Sequence, residues 1–179
     1  MTPSISDIDR MISDHQHKQA RRVIRAALRR SPRNHRLLTA LARSYSDPSW
    51  DYDRDWRVAL VWHRKALAVA PTCPIVLQDY AETVGGQESI KALRRLVARS
   101  PHSLMREGCV RSLVRAREKI TFAYYTLSLW HWKYRQWPKA IKAGKLSARR
   151  ARASGDAVSA RAAMTIVHWC QEAMMKARR

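Results

Sequence analysis

Residues 56–74 read WRVALVWHRKALAVAPTCP. The apolar positions Val58, Ala59, Val61, Trp62, Ala66, Leu67 and Val69 recur close to the helical period, so the stretch predicts one amphipathic helix. Two small residues on it, Ala59 and Ala66, lie seven apart, two turns along one face. Pro71, five beyond Ala66, would cost a continuing helix a hydrogen bond and clash with the preceding turn. Pro74 stands where a following helix would begin.

The same spacing of small residue, small residue and proline recurs. Ala20, Ala27 and Pro32 keep it, and Ser89, Leu96 and Pro101 keep it with a larger middle residue. Ala140 and Ser147 keep the first interval, with Arg152 in the proline place. Such self-similarity marks a repeat array. Working outward, helices are expected at about 4–14, 17–30, 35–45, 74–84, 87–99, 103–118, 120–135, 138–154 and 157–176 as well. That makes ten helices, or five antiparallel pairs. The helix at 103–118 is interrupted by Gly108. The helix at 120–135 carries Phe122, Tyr124, Tyr125, Trp130, Trp132 and Tyr134 nearly all round, which predicts burial between neighbours. Only five glycines and few runs of Val, Ile or Thr argue against sheet. The fold class expected is all-α.

The helices that precede the small–small–proline signals share a second pattern: large, large, small, aromatic. Leu38, Leu41, Ala42 and Tyr45 carry it; Leu77, Tyr80, Ala81 and Val84 repeat it, as do Tyr124, Leu127, Ser128 and His131. Together the two patterns resemble the tetratricopeptide repeat, a helix–turn–helix of about 34 residues. The resemblance covers about residues 4–101 and 121–153. It is degenerate: Leu38 to Ala59 is 21 residues and Leu77 to Ser89 is 12, where the repeat has about 16. Residues 1–101 would form three helix pairs. Residues 102–179 would continue the array, with a pair at about 121–153 and a capping helix at 157–176.

The resemblance implies a right-handed α-solenoid whose first helices line a groove for a peptide or protein segment. Asn34, Arg36, Arg43 and Gln78 are the groove candidates. A family subtype holds a C-terminal carboxylate with Lys, Asn and Arg. Here Asp79 and Glu82 stand where that clamp would be basic, which argues against it.

The formal charge of the chain is +21, and it is uneven: residues 1–88 hold 14 Lys+Arg against 10 Asp+Glu, and residues 89–179 hold 21 against 4. A field of that size attracts polyanions. Lys139, Lys142, Lys145, Arg149, Arg150 and Arg152 fall within one arc of the helix at 138–154, and Arg111 and Arg115 add to them. These eight are the polyanion-binding candidates, for an acidic protein partner first. Backbone-directed RNA or DNA binding is the alternative, since Lys/Arg stripes also track phosphates. A membrane surface ranks third, because the apolar face of that helix is mainly alanine, a weak anchor. The segment SDPSWDYDRDW at 46–56 is the acidic cluster of the chain, read as a loop that caps the next helix.

Enzymatic chemistry finds no support: there is no phosphate-binding glycine loop, GxSxG or HExxH. No cofactor or metal is expected. His63, His131 and His168 lie on apolar faces and read as core or interface histidines. Cys73, Cys109 and Cys170 are widely spaced and form no CxxC, which suits a reducing compartment. The start MTPSISDIDR lacks the basic and apolar regions of a signal peptide, and no run of 18 apolar residues occurs. The cytoplasm is therefore the expected location.

Overall fold

A computed structural model describes residues 4–46, 55–106, 110 and 112–177. Among these residues there are ten helices and no strand, and the helices form two compact units, Met1–Gly85 and Gly86–Arg179.

The first unit holds α1 (Ile5–Ser13), α2 (His17–Arg30), α3 (His35–Ser46), α4 (Trp56–Val69) and α5 (Pro74–Val84). The ends follow from local chemistry. The Ser4 hydroxyl accepts from the Asp7 N–H, and the Asp7 carboxylate accepts from the Ser4 N–H, so two of the orphan donors at the start of α1 are satisfied. The Ser4 hydroxyl also donates to the Asp7 carboxylate (2.6 Å), and that bond first, then the one from the Ser4 N–H, holds the Asp7 carboxyl below its usual range. Asn34 caps α3 and Asp55 caps α4, each through its side-chain oxygen. Pro74 occupies the first turn of α5, where its missing N–H costs nothing. The acidic residues Asp47, Asp51 and Asp53 lie outside the described residues, as do Gly108 and Cys109.

Each helix of this unit rests on the next, and α1, α3 and α5 also touch in sequence, the arrangement of stacked helical hairpins. The small residues Ala20, Ala27, Ala59 and Ala66 are all buried, and so are Leu38, Leu41, Ala42, Leu77, Tyr80 and Ala81. Small side chains let paired helices approach closely. One expectation for α4 fails: Val61 is 49% exposed, and the inward stripe is Ala59, Leu60, His63 and Ala66. The 4–3 spacing through His63 follows the helix–helix contact better than the spacing through Val61.

His63 is fully buried. Thr83 Oγ1 donates its proton to the Asp79 carbonyl (2.9 Å), so His63 Nε2–H is the donor in the 3.1 Å contact with that hydroxyl. Nδ1 is left with no hydrogen-bond partner. Burial first, then the nearby Arg43 charge, lowers the ring to about 4. The unfolded chain binds this proton near pH 6.5 and the folded chain only near pH 4, so stability falls as pH drops through that window. The loss should reach about 3 kcal/mol at its acid end. Urea unfolding at about pH 7 and about pH 4.5 should show it, and His63→Gln should remove most of it. If His63→Gln keeps the full pH dependence, other groups cause it.

The second unit holds α6 (Gly86–Val97), α7 (Pro101–Arg106), α8 (Leu113–Lys133), α9 (Trp137–Ala153) and α10 (Ala157–Lys176). Gly86 opens it at φ 62°, a left-handed conformation that costs glycine little. Two expected helices, at 103–118 and 120–135, are instead a short α7 and a single 21-residue α8. Ser112 starts α8 by accepting from the Arg115 N–H, and no glycine or proline interrupts residues 113–133. Helix α9 packs between α8 and α10. Buried hydroxyls tie α8 to α9: Ser128 donates to the Ala140 carbonyl (2.8 Å), and Ser147 donates to the Thr121 carbonyl (3.0 Å).

Candidate functional site

Helix α9 sorts its residues by face. Ala140, Ala143, Gly144, Ser147, Ala148 and Ala151 are buried. Lys139, Lys142, Lys145, Arg149 and Arg152 are exposed, and Arg150 is half-buried with its guanidinium 5.4 Å from the Tyr124 ring centroid. From Lys139 to Arg152 the row covers about 20 Å of helix axis. Among the described residues no carboxylate pairs with any of the six. The reason lies in how few acids this unit has. Glu88 pairs with Lys91 (2.7 Å), Glu118 with Arg115 (3.0 Å) and Glu172 with His168 (3.1 Å), while Asp156 caps α10. The Asp156 carboxyl is held low by its side-chain bond from Ser159. Residues 86–179 carry 21 Lys+Arg and 5 Asp+Glu, so the exposed members of the row on α9 face solvent with no compensating acid among the described residues. Arg115 is exposed and already paired, and Arg111 lies outside the described residues.

The aromatic helix α8 is less buried than its composition suggests. Its core stripe is Ala116, Ile120, Ala123, Leu127 and His131. His131 Nδ1–H bonds the Gln136 side-chain oxygen at 2.9 Å, and burial pushes the ring below its usual value. The bulky rings take the flanks: Phe122, Trp132 and Tyr134 are exposed. Trp132 meets Trp169 of α10 with ring centroids 5.8 Å apart, and Trp169 is exposed too. Small and aliphatic residues, not rings, make the closest helix contacts here. The 4–3–4 spacing of Ala116, Ile120, Ala123 and Leu127 is the sequence signal that marks the buried face.

The four groove candidates sit on α3 and α5 of the first unit. Asn34 uses its side-chain oxygen to cap α3. Nine residues on, about 13 Å along the axis, Arg43 bonds Asp9 of α1 (2.9 Å) and lies 4.0 Å from Asp79 of α5. Arg43 thus ties together the three first helices. Gln78 is buried and its amide donates to Glu82 (3.0 Å), leaving its own oxygen without a partner. Arg36 is half-buried near the start of α3. So Arg43 reaches Asp79, the chain neighbour of Gln78, while Asn34 stands at the other end of α3. No described helix is long and apolar enough to cross a membrane.

No protein-family model matches the chain, and no curated protein sequence matches it. Two crystal structures of MamA share its fold. One has a TM-score of 0.58 at 19% identity, over 96% of this chain and 92% of its own. The other has a TM-score of 0.58 at 18% identity, over 96% of this chain and 97% of its own. MamA is all-α and tetratricopeptide-like, and the likeness gives this chain an all-α fold of that kind.

Proposed function

We propose that the chain is a non-enzymatic, cytoplasmic scaffold that binds a partner protein, with the cationic row of α9 turned toward an acidic surface on that partner. The row of six Lys and Arg side chains without a carboxylate partner among the described residues carries this reading. Unpaired cations raise the on-rate for an acidic partner and select against basic ones. The stacked helices supply a stiff frame for the contact. In the first unit, Arg36, Arg43 and Gln78 line the face where a peptide segment of the partner would lie, and the Asn34 cap fixes the start of α3.

One observation favours a second reading, binding to RNA or DNA. A row about 20 Å long can lie along several phosphates, and each one neutralised releases counterions. The test is a titration of the full chain over a salt series with three labelled probes: poly-glutamate, single-stranded RNA and duplex DNA. A capture experiment against partner proteins runs beside it. The scaffold reading expects a captured acidic protein whose binding is lost in an Arg36→Ala, Arg43→Ala variant. Tight, steeply salt-dependent RNA or DNA binding, with no captured protein, overturns it in favour of the second reading.

A further inference from the structure

Helices α2 and α4 both lean on α3, and along α2 runs an open trough in two adjoining halves, the second of which reaches α4. The first half, about 410 Å³, is lined by Lys18, Arg21, Arg22, Arg25, Arg29 and Tyr45. The second, about 460 Å³, shares Arg25 and Arg29 and adds an apolar pocket. Leu28 and Leu38 form its floor, Trp62, Val69 and Pro32 its walls, and Lys65 its rim. Among the described residues, no acidic side chain lines either half.

Two of the arginines are held in place. Arg21 donates to the Ser44 carbonyl through Nε and Nη2, and its guanidinium lies 3.9 Å from the Tyr45 ring centroid. Arg25 donates through Nη2 to the Tyr45 hydroxyl at 2.6 Å. Lys65 sits 4.2 Å over the Trp62 ring. Cations already fixed lose less conformational freedom when a ligand arrives. The two halves ask for different chemistry, carboxylates along the arginines and one bulky apolar side chain in the pocket beside them.

We propose that this trough binds an acidic peptide segment of a partner protein, with one large apolar residue anchored against Leu28, Leu38 and Trp62 and flanking carboxylates on Arg22, Arg25 and Arg29. Charge complementarity selects the acidic segment, because every charged side chain in the described lining is cationic. The apolar pocket selects the anchor. A polynucleotide satisfies the first requirement and meets the second only by stacking a base on Trp62. The site is separate from the row on α9 and does not depend on it.

Fluorescence anisotropy with the full chain tests this. The probes are a labelled peptide with one tryptophan between two runs of glutamate, and the same peptide with alanine for tryptophan. The tryptophan peptide should bind about 30-fold tighter, the worth of burying one large apolar side chain. Trp62→Ala should remove most of that preference. Arg25→Glu with Arg29→Glu, both exposed positions, should weaken both peptides about tenfold or more. Lys142→Glu with Arg149→Glu on α9 should leave the preference intact. Equal binding of the two peptides, or a preference that survives both trough variants, overturns the proposal. So does displacement of the tryptophan peptide by poly-uridylate at matched charge, which would make the ligand a polynucleotide. A sedimenting dimer dissolved by the two arginine substitutions would make it a second copy of the chain.

Discussion

Gly144→Leu should lower the melting temperature by about 10 °C or more, the largest single-residue effect expected in the second unit. Gly144 sits on α9 where the helix is held between α8 and α10. A Cβ placed on it would come 2.8 Å from Val167 Cγ2, 3.0 Å from Ser128 Oγ and 3.2 Å from the Ala163 carbonyl oxygen. Val167 is β-branched and has few rotamers to retreat into. The Ala163 oxygen is backbone, so it moves only if α10 moves. The Ser128 hydroxyl is committed to the Ala140 carbonyl. A leucine adds three more carbon atoms to the same space, and overpacking of this kind costs about 3 kcal/mol. Gly144→Ala should cost less, because alanine recovers about 1 kcal/mol of helix propensity and adds only the Cβ with its three close contacts. Thermal unfolding by circular dichroism ranks the three proteins. A leucine variant that melts with the parent would mean that α8, α9 and α10 are not held this close.

The same crowding explains what could be read from the sequence. Ala20 with Ala27, Ala59 with Ala66, and Ala140 with Ser147 were spaced seven apart, and every one of them is buried where two helices meet. That signal is local and periodic, and it survives the loss of other repeat features. The prolines and caps set the ends of α2, α4 and α5 for the same reason: they act within one turn. The division of α7 from α8 was less legible. Residues 117–120, Arg-Glu-Lys-Ile, join two expected helices and are themselves good helix formers, so nothing there stops the chain. Hydrophobicity alone does not mark the buried face of α8, because it ranks Trp and Phe above Ala, while a close helix contact admits Ala first. The trough on α2 left a clear trace: Lys18, Arg22, Arg25 and Arg29 fall at 4–3–4 spacing on one face. The net charge of the N-terminal half does not show it, since the aspartates near residues 47–55 offset those cations in the sum. The neighbouring apolar pocket joins Leu28, Leu38 and Trp62 from three helices, and only their packing could bring them together.

Reversing Lys142, Lys145, Arg149 and Arg150 to glutamate should weaken polyanion binding by about 100-fold or more at low salt, the largest functional effect expected. The four substitutions change the charge of one helix face by eight. They leave Ala140, Gly144, Ser147, Ala148 and Ala151 against their neighbours, so the helical signal and the cooperative melt should be kept. A distinguishing sign is the salt dependence. If each of the four side chains neutralises one phosphate on single-stranded RNA, the slope of log affinity against log salt should shrink by about 3. If the ligand is an acidic protein, the loss should fall mainly on the association rate, because exposed cations steer an encounter more than they hold a complex. Stopped-flow kinetics over a salt series separates the two. A parallel variant, Arg36→Ala with Arg43→Ala, removes side chains of the α1–α3–α5 face and leaves the α9 row whole. It should abolish capture of a protein partner while RNA binding stays as it was. Should the α9 variant bind every polyanion as the parent does, with the same slope, the row is a solvated face and the partner meets the chain elsewhere.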